Sequence, residues 1–316
     1  MPSGELGTTG IKVSKFCFGS HMSHALLKYE KERGIMLREA YDLGITTFDV
    51  YENNMGRLRQ WEPTGRHLAP VINDVVISIL MMPNNGSDLM VDKVEEHLER
   101  ALKMFRRDYI DMVRPPVYLV TPLEHPYMEK LFKLKQKGYI RAVGFPIHFE
   151  VNIDPILDTY PIDFMMFPYN FYHNCVWNGK TAGRFGAIVK QLREKGVGVV
   201  TMKPFGTENF IKPLMNAAKK LDETNEVSLP QAALRYIMNS GLNPDTTMGG
   251  MYNLDEVYED AEAYFNPEMS REEKELLEKL RKVARVASGD WMPEHYKFLE
   301  RWTPDSPDDE ELYGSV

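Results

Sequence analysis

Cysteine is scarce in this chain, with only Cys17 and Cys175 among 316 residues. Two thiols cannot form a disulfide framework, a four-cysteine zinc site or a four-cysteine iron–sulfur site. Long apolar runs are also missing, because no stretch approaches the ~20 residues of a membrane span. The first residues, MPSGELGTTG, lack the basic segment and apolar run of a secretory signal. These absences favour a cytoplasmic protein without a membrane partner.

Positive charge is in deficit. The chain has 38 lysines and arginines against 46 aspartates and glutamates, which gives a net charge of −8. A general nucleic-acid binder needs a basic face to neutralise phosphates, so this class of partner is excluded. The hydrophobic content of 43% and the charged content of 27% are typical of globular proteins. We expect a small-molecule substrate, and the sequence leaves the oligomeric state open.

Short runs rich in β-branched residues alternate with segments that have a helical apolar period. Gly44, Gly138 and Gly196 follow three of the helical segments, where a left-handed residue commonly ends a helix. Eight repeats of strand, helix and turn predict a parallel sheet closed on itself, which is a (β/α)₈ barrel. The predicted strands are 13–18, 45–50, 74–80, 109–113, 139–145, 162–167, 197–202 and 245–250.

We predict a single domain that covers 1–316, a length that suits one large barrel. The barrel would occupy about 5–265, with a small hairpin before its first strand. Residues 266–303 would form C-terminal helices, and the acidic segment 304–316 would form a tail.

Ordered motifs along the chain resemble those of the aldo-keto reductases. The opening LGTTGIKVSKFCFGS, the second strand LGITTFDV, the fourth RRDYIDMV and the fifth GYIRAVGFPIH have that family's order and spacing. The sixth strand PIDFMMFPYN and the seventh GVGVVTMKPFG continue the match, which runs from about residue 5 to residue 265. The resemblance implies the barrel fold and the reduction of carbonyl compounds with NAD(P)H.

The fifth strand indicates one branch of this family. In that branch the strand ends in Gly-Phe-Ser-x-His, and the C-terminus often carries a ferredoxin-like cysteine cluster. His148 matches the histidine of the motif. The C-terminal segment here contains no cysteine, so we expect no iron–sulfur cluster.

The resemblance implies four catalytic side chains, of which this chain keeps one. Asp49 stands at the position of the family's aspartate. The tyrosine that donates the proton, the lysine that tunes it and the histidine that orients the substrate are replaced. Their positions hold Asn54–Met55, Leu80 and Pro115–Pro116. None of these can donate a proton to a forming alkoxide, which needs a group of tuned pKa within hydrogen-bond reach.

The positions that would hold the nicotinamide are also altered. The resemblance places a serine or asparagine, a glutamine and a stacking tyrosine where Pro146, Met166 and Thr201 or Met202 stand. The loop after the eighth strand carries Glu256 and Asp260, whose charge is wrong for a phosphate. We therefore expect NAD(P)H to bind weakly or not at all.

Asp49 needs a new cation if it is buried without its lysine, because an unpaired buried charge is costly. Arg114 has the parity of an inward-facing residue on the fourth strand, and Lys203 ends the seventh. A register shifted by one residue would instead turn Arg114 toward a helix, and Lys203 would otherwise be a solvated rim charge. Tyr51 either replaces the lost proton donor or packs beneath its loop with the hydroxyl bonded to backbone.

Four histidines follow predicted strands on the C-terminal side of the barrel. His21 and His24 follow the first strand, His148 the fifth and His173 the sixth. With Asp49 and Glu52 they would form a rim of metal-capable or acid–base side chains, and imidazole with carboxylate suits a divalent transition metal. The alternative is that these histidines form local hydrogen bonds or line a polar substrate pocket. The other four, which we interpret as structural, are His67, His97, His125 and His295.

Aromatic residues follow the sixth strand, among them Tyr169, Tyr172 and Trp177. Aromatic planes beside polar groups hold sugar-like or ring substrates, and the mouth of a barrel is the usual pocket. We therefore predict that these residues and His173 line a substrate pocket.

Three functions are consistent with these features. The first, which we favour, is a divergent enzyme that acts on a small polar, carbonyl- or sugar-like substrate at the barrel mouth. It would work without ordinary NAD(P)H hydride transfer, through histidine and aspartate acid–base chemistry or a divalent metal. The second is an oxidoreductase that depends on NAD(P) through rearranged residues, or on a metal. The third is a catalytically inactive binding or regulatory barrel.

Overall fold

The β-branched runs of the sequence form parallel strands in the computed structural model. It describes residues 1–20, 30–52, 60–85, 88–116, 126–147, 153–172, 184–206, 208–221 and 226–291. In chain order the strands are β1 Ser3–Glu5, β2 Lys12–Ser14, β3 Phe16–Gly19, β4 Thr47–Val50, β5 Val76–Leu80, β6 Asn84–Asn85, β7 Asp88–Leu89, β8 Ile110–Arg114, β9 Ile140–Pro146, β10 Phe164–Pro168, β11 Gly198–Met202 and β12 Thr246–Gly250.

Eight of these strands close into a barrel in the order β3-β4-β5-β8-β9-β10-β11-β12. Closure is made by β12 and β3, which pair in parallel with Met248 opposite Cys17. Each predicted barrel strand overlaps an observed one, and the predicted (β/α)₈ fold is confirmed. The first predicted strand, 13–18, is divided, because Val13 and Ser14 belong to an antiparallel hairpin with β1.

Helices cover the outside of the barrel, and most lie where the apolar period predicts them. Gly44, Gly138 and Gly196 have φ angles of 85°, 83° and 72° after α1, α4 and α6, as expected of residues that end helices. The helices are α1 Glu30–Asp42, α2 Trp61–His67, α3 Val94–Phe105, α4 Pro126–Gln136, α5 Asp154–Thr159, α6 Arg184–Glu194, α7 Glu208–Leu221, α8 Leu229–Asn239, α9 Leu254–Phe265 and α10 Arg271–Trp291. Among the described helices none has both the length and the apolar content that a bilayer span requires.

The barrel interior is filled with side chains. Inward residues of the strands pack with Leu6, Ile11 and Val13 of the hairpin region into one buried cluster. The hairpin closes the N-terminal end of the barrel, where Gly7 N–H donates to Asp245 Oδ2 at 3.0 Å. A barrel plugged in this way leaves its C-terminal end as the place for chemistry.

Aspartates near the N-terminal ends of three strands bind the backbone of the neighbouring strand. Asp111 Oδ2 accepts the N–H of Ile77 at 3.0 Å, and Asp163 and Asp245 accept the N–H groups of Val143 and Val199. A basic side chain balances each carboxylate. These bonds satisfy buried N–H groups at the edge of the barrel, where an orphaned donor is costly.

Replacing Asp111 with alanine tests this arrangement. Asp111 and Arg107 have side chains only 1% and 3% exposed, so the change leaves a buried guanidinium without its counter-charge. We expect the free energy of unfolding, measured by urea denaturation, to fall by about 3–5 kcal/mol. Asp158→Ala is the control, because Asp158 is 74% exposed and 3.6 Å from Lys195, and it should cost less than about 1 kcal/mol. Equal losses of unfolding free energy in the two variants would contradict the structural role of Asp111.

Candidate active site

A buried ion pair lies at the C-terminal end of the barrel. Asp49 is fully buried on β4, and Arg114 is the last residue of β8. Arg114 Nη2 donates to Asp49 Oδ2 at 2.9 Å, and its Nη1 donates to Oδ1. The geometry is bidentate, the strong form of an arginine–carboxylate pair. The predicted pairing of Asp49 with a substitute cation is confirmed, and Arg114 is that cation.

Ser78 completes this network, and our sequence analysis missed it. It lies on β5, between the two strands of the pair, and directly opposite Asp49 in the register. Its hydroxyl donates to Asp49 Oδ1 at 2.8 Å and accepts from Arg114 Nη1 at 3.2 Å. The available signal was one polar residue in an apolar strand, VISIL, at the parity of inward-facing residues.

Arg114, on the strand next to β5, supplies the positive charge that the family resemblance assigns to a lysine at the end of β5. Leu80, which stands at the lysine position, is the register partner of Arg114. Of the five N–H donors of a guanidinium, Nη1 uses two and Nη2 uses one on Asp49 and Ser78. The side chain keeps 9% exposure at the end of its strand. Its other two N–H donors make no hydrogen bond to the residues that the structure describes.

Lys203 does not take the role of counter-ion to Asp49 that we had considered for it. It follows β11 with a φ of 57°, a left-handed conformation unusual for a residue with a side chain. Its carbonyl oxygen accepts the N–H of Gly206 at 3.0 Å and Asn170 Nδ2 at 3.2 Å. Asn170, which is buried and which we had not singled out, thus fixes the backbone of this turn.

The loop after β4 is tied to the loop after β3 by Ser20. The Ser20 N–H donates to the carbonyl oxygen of Asp49 at 3.0 Å, and its hydroxyl accepts the N–H of Tyr51 at 2.9 Å. Gln60 Nε2 donates to the Ser20 carbonyl at 3.2 Å. The backbone that carries Tyr51 is therefore held at the mouth, and a role for its hydroxyl in proton donation stays a prediction.

Glu52 was predicted as part of a metal-capable rim, and that interpretation is wrong. Its Oε2 accepts the N–H groups of Gln60 and Trp61, both at 2.9 Å, at the start of α2. Its other oxygen pairs with Arg100 of α3. Glu52 is 2% exposed and fully engaged as a helix cap, because the first N–H groups of a helix have no partner within it.

The histidines of the predicted rim lie outside the described residues. This applies to His21, His24, His148 and His173, and also to Trp177. Their convergence on one pocket stays a prediction. In the part of the chain that the structure describes, no three His, Cys, Asp or Glu residues are grouped to hold a metal ion.

Cys17 lies within the barrel on β3 and is 1% exposed. Burial raises the pKa of its thiol well above the usual value, and the nearby charge of Asp49 raises it further. A thiol in this state is a weak nucleophile. Cys17 therefore packs as a small buried hydrophobic residue.

The tyrosines predicted to line a substrate pocket are both buried. Tyr169 stacks on Tyr236 of α8 with 6.2 Å between ring centroids, and its N–H donates to the Met202 carbonyl at 3.0 Å. Tyr172 meets Phe171 edge to face at 5.1 Å, within a cluster formed with α7, α8 and α10. These are packing contacts between barrel and helices, and contact of either tyrosine with a substrate stays a prediction.

The strand positions that would hold a nicotinamide do not fit its carboxamide. Met166 packs in the apolar barrel interior, and Pro146 has no N–H to offer at the end of β9. Thr201, one of our two candidates for the stacking position, is excluded, because it lies on the outer side and its hydroxyl meets that of Thr247 at 2.8 Å. Met202 is the inward residue of the two.

The acidic loop after β12 differs from our expectation in one respect. Glu256 caps α9, since its Oε2 accepts the N–H of Tyr252 at 2.6 Å while Asn253 Oδ1 accepts the N–H of Glu256. It therefore places a carboxylate beside this helix start. Asp260 is 2% exposed and points inward, and burial raises the pKa of its carboxyl well above the usual value. Its side chain is therefore not displayed at the surface of this loop, contrary to our expectation.

Comparisons with known proteins give a consistent result. A model of the aldo/keto reductase family matches residues 22–282. A protein of Bacillus subtilis (strain 168) named as the uncharacterized oxidoreductase YrpG is 30% identical over 122 residues, which cover 34% of this chain. The match spans only 37% of that relative's own length.

Solved structures of aldo-keto reductases have a similar fold. The holo form of AKR11C1 from Bacillus halodurans superposes with a TM-score of 0.67 at 21% identity, over 89% of this chain and 96% of that one. The thermostable Tm1743, solved with the inhibitor epalrestat, gives a TM-score of 0.63 at 20% identity, over 89% and 100%. At this level of identity the likeness shows the fold alone.

The coupling between Asp49 and Arg114 can be measured with a double-mutant cycle. Arg114→Met leaves the carboxylate buried without a cation, so we expect it to lower the free energy of unfolding by about 3–5 kcal/mol. Adding Asp49→Asn to Arg114→Met removes the unpaired charge and should recover part of that loss. Urea denaturation of the four proteins gives the coupling energy. A value within about 0.5 kcal/mol of zero would contradict the pairing.

His97 should give the protein an acid-sensitive stability. It is 6% exposed on α3, and its ring centroid lies 4.8 Å from that of Trp61. Its Nε2 has no hydrogen-bond partner among the described residues. Burial, then the charge of Arg100, lowers the pKa of His97 to about 4. The folded state thus favours neutral histidine, and stability present above pH ~6.5 is lost as the pH falls toward ~4.

The loss of unfolding free energy follows from the difference between the ordinary pKa of histidine, 6.5, and the value of about 4 in the folded protein. It is about 3 kcal/mol. We expect the free energy of unfolding of His97→Gln to depend less on pH than that of the wild type between pH ~6.5 and ~4. Other groups titrate in both proteins, so the difference between the two curves is the quantity to compare. Parallel curves would show that His97 does not contribute.

Proposed function

This chain belongs to the aldo/keto reductase family, and we propose that it is a divergent enzyme that does not use ordinary NAD(P)H hydride transfer. It would act at the C-terminal mouth of the barrel on a small polar substrate, carbonyl- or sugar-like. We also propose that one domain spanning 1–316 carries this activity, and that the protein is cytoplasmic.

The observation that carries the proposal is that both carboxylate oxygens of Asp49 accept hydrogen bonds from neighbouring side chains. Its Oδ1 accepts from Ser78 and Arg114, and its Oδ2 accepts from Arg114. A carboxylate engaged in this way positions the groups that it binds. The family's tetrad uses the aspartate to tune a proton donor, whereas here it orients a guanidinium.

Arg114 supports a different kind of catalysis. Arginine does not give up its proton in proteins, so it cannot replace a tyrosine acid. Its two remaining N–H donors can bind a carbonyl oxygen and stabilise the negative charge that develops when a neighbouring proton is removed. We propose that Arg114 has this role and that isomerase or lyase chemistry is the reaction class. Hydrolysis of an ester or amide, in which water displaces the alcohol or amine from the polarised carbonyl, would use the same stabilisation.

A proton acceptor is also required. His21, His24, His148 and His173 are the proposed suppliers of acid–base groups, either directly or as ligands of a divalent metal. All four follow barrel strands on the C-terminal side in the sequence, where a parallel barrel collects its functional loops.

A second candidate is an oxidoreductase in which Tyr51 donates the proton. Membership of a family of oxidoreductases favours it, as does the Ser20 hydroxyl, which fixes the Tyr51 backbone two residues after Asp49. This function needs bound nicotinamide, so the two candidates differ in one measurable property.

Titration with NADPH and NADH separates them. We expect no saturable change in nicotinamide fluorescence up to about 1 mM, because Pro146 and Met166 cannot hold the carboxamide. A micromolar dissociation constant with enhanced fluorescence would favour the oxidoreductase and contradict the proposal.

A variant that restores the two side chains expected to bind the carboxamide provides the matched control. Pro146→Asn combined with Met166→Gln returns the hydrogen-bonding groups that the family resemblance implies. The pair should bind NADPH at least about tenfold more tightly than the wild type, since two hydrogen bonds contribute of the order of 1 kcal/mol each. An unchanged affinity would mean that other features exclude the cofactor.

A further inference from the structure

One edge of the Arg114 guanidinium is left over by the network of Asp49 and Ser78. Asp49 binds the edge formed by Nη1 and Nη2, and Ser78 binds the second N–H of Nη1. The N–H of Nε and the second N–H of Nη2 remain, and we call this pair the open edge. Both donors belong to a planar, rigid group and point in the same direction. A ligand that matches the open edge therefore offers two oxygen atoms side by side.

The open edge can be reached from solvent. Arg114 is the last residue of β8, at the C-terminal end of the barrel, and its side chain is 9% exposed. Its Nε forms no hydrogen bond with the described residues, and it is not one of their unpartnered atoms that the protein covers completely. Nε is thus in contact with solvent, and a molecule in the mouth can replace water there.

The direction of the open edge is fixed before a ligand arrives. Asp49 and Ser78 lie on β4 and β5, and Arg114 lies on β8, the next strand of the barrel. Their hydrogen bonds hold the plane of the guanidinium from two neighbouring strands. Donors that are already ordered lose little conformational freedom on binding, so the spacing of the ligand's oxygens decides the fit.

The charge of Arg114 is already compensated by Asp49. A carboxylate or phosphate on the open edge would be attracted by Arg114 and repelled by Asp49, because both anions would bind the same guanidinium. It would also lose its hydration on entering the site. A neutral group with two oxygens avoids the repulsion and the dehydration of an ion. The electrostatics of the pair therefore favour a neutral ligand.

Neutral oxygens that are adjacent and can lie in one plane are found in 2-hydroxy carbonyl compounds. Their carbonyl oxygen and hydroxyl oxygen both accept hydrogen bonds, and both can lie on the same side of the bond that joins the two carbons. A simple ketone offers only one oxygen. A 3-hydroxy ketone has its oxygens one carbon farther apart, which fits the open edge less well.

We propose that the open edge of Arg114 binds the two adjacent oxygens of a hydroxy aldehyde or hydroxy ketone. This inference rests on the proposed function, which makes the ligand of Arg114 the substrate, and it narrows the substrate class. In that function an imidazole base takes the proton from the carbon that carries the hydroxyl, and the electron pair of the C–H bond moves toward the carbonyl oxygen. Both oxygens of the resulting enediolate stay on the open edge, which stabilises the new charge.

Three probes of similar size test the site by binding alone. Acetohydroxamic acid has two adjacent neutral oxygens in one plane, acetamide has one oxygen, and acetate has two oxygens with a negative charge. Dissociation constants are measured by ligand-observed NMR at neutral pH, with EDTA present because hydroxamates bind metal ions. We expect acetohydroxamic acid to bind at least about tenfold more tightly than the other two probes, since it adds a hydrogen bond to a charged donor without adding charge. Equal binding of acetamide, tighter binding of acetate, or no binding of acetohydroxamic acid would overturn the proposal.

Variants of Arg114 locate the binding. Arg114→Lys keeps the charge and loses the planar pair of donors, so its preference for acetohydroxamic acid over acetamide should fall below about threefold. Arg114→Met combined with Asp49→Asn removes both charges and should show no preference; this variant decides if Arg114→Lys does not fold. The control is Arg271→Met, because Arg271 is 81% exposed on α10, and it should bind the probes as the wild type does. A preference that survives in the Arg114 variants would overturn the proposal.

Binding and catalysis can fail separately. If the probes bind in the expected order but no hydroxy carbonyl compound exchanges its proton in D₂O, the binding site stands and the proposed function is wrong. If exchange occurs but acetohydroxamic acid binds no better than acetamide, the proposed function stands and this inference is wrong.

Discussion

The bidentate pair of Asp49 and Arg114 is the constraint on which the rest of the site depends. Asp49 is 0% exposed, and the loss of its partner would leave a bare carboxylate within the barrel. Ser78 on the strand between them binds both members, so β4, β5 and β8 are joined at their C-terminal ends by side chains as well as by backbone. The lysine of the family could be lost because an arginine on the next strand supplies the charge. A guanidinium at this place attracts oxygen and does not transfer a proton, and our proposed function depends on that property.

The fold could be predicted from the sequence because its signals are periodic. Strand and helix patterns repeat eight times, and Gly44, Gly138 and Gly196 mark helix ends, so an error of two residues at a boundary does not change the topology. Arg114 could also be predicted, because alternation along β8 decides which side of the barrel it faces. The same alternation made Thr201 and Met202 hard to distinguish, since a shift of one residue exchanges inside and outside.

Other parts of the site depend on register and on tertiary contacts, which one sequence does not contain. Ser78 matters because it lies opposite Asp49, and that pairing is set by closure of the whole barrel. Glu52 and Asp260 have the charge that suggests a functional rim, yet Glu52 caps α2 and Asp260 lies on the buried face of α9. Their roles follow from which helix face or helix end they meet, and charge alone does not determine that.

In our proposal Arg114 stabilises negative charge on a carbonyl oxygen without nicotinamide, and proton exchange at the neighbouring carbon tests this role. The protein is incubated in D₂O with small hydroxy aldehydes and hydroxy ketones, without NAD(P)H, and deuterium at the carbon beside the carbonyl is followed by ¹H NMR. We predict exchange above the buffer rate for at least one of these compounds. Arg114→Lys, which keeps the charge but loses the bidentate geometry, should reduce that rate by about tenfold or more. Exchange that occurs only when NAD(P)H is added, or that is unchanged in Arg114→Lys, would contradict the account.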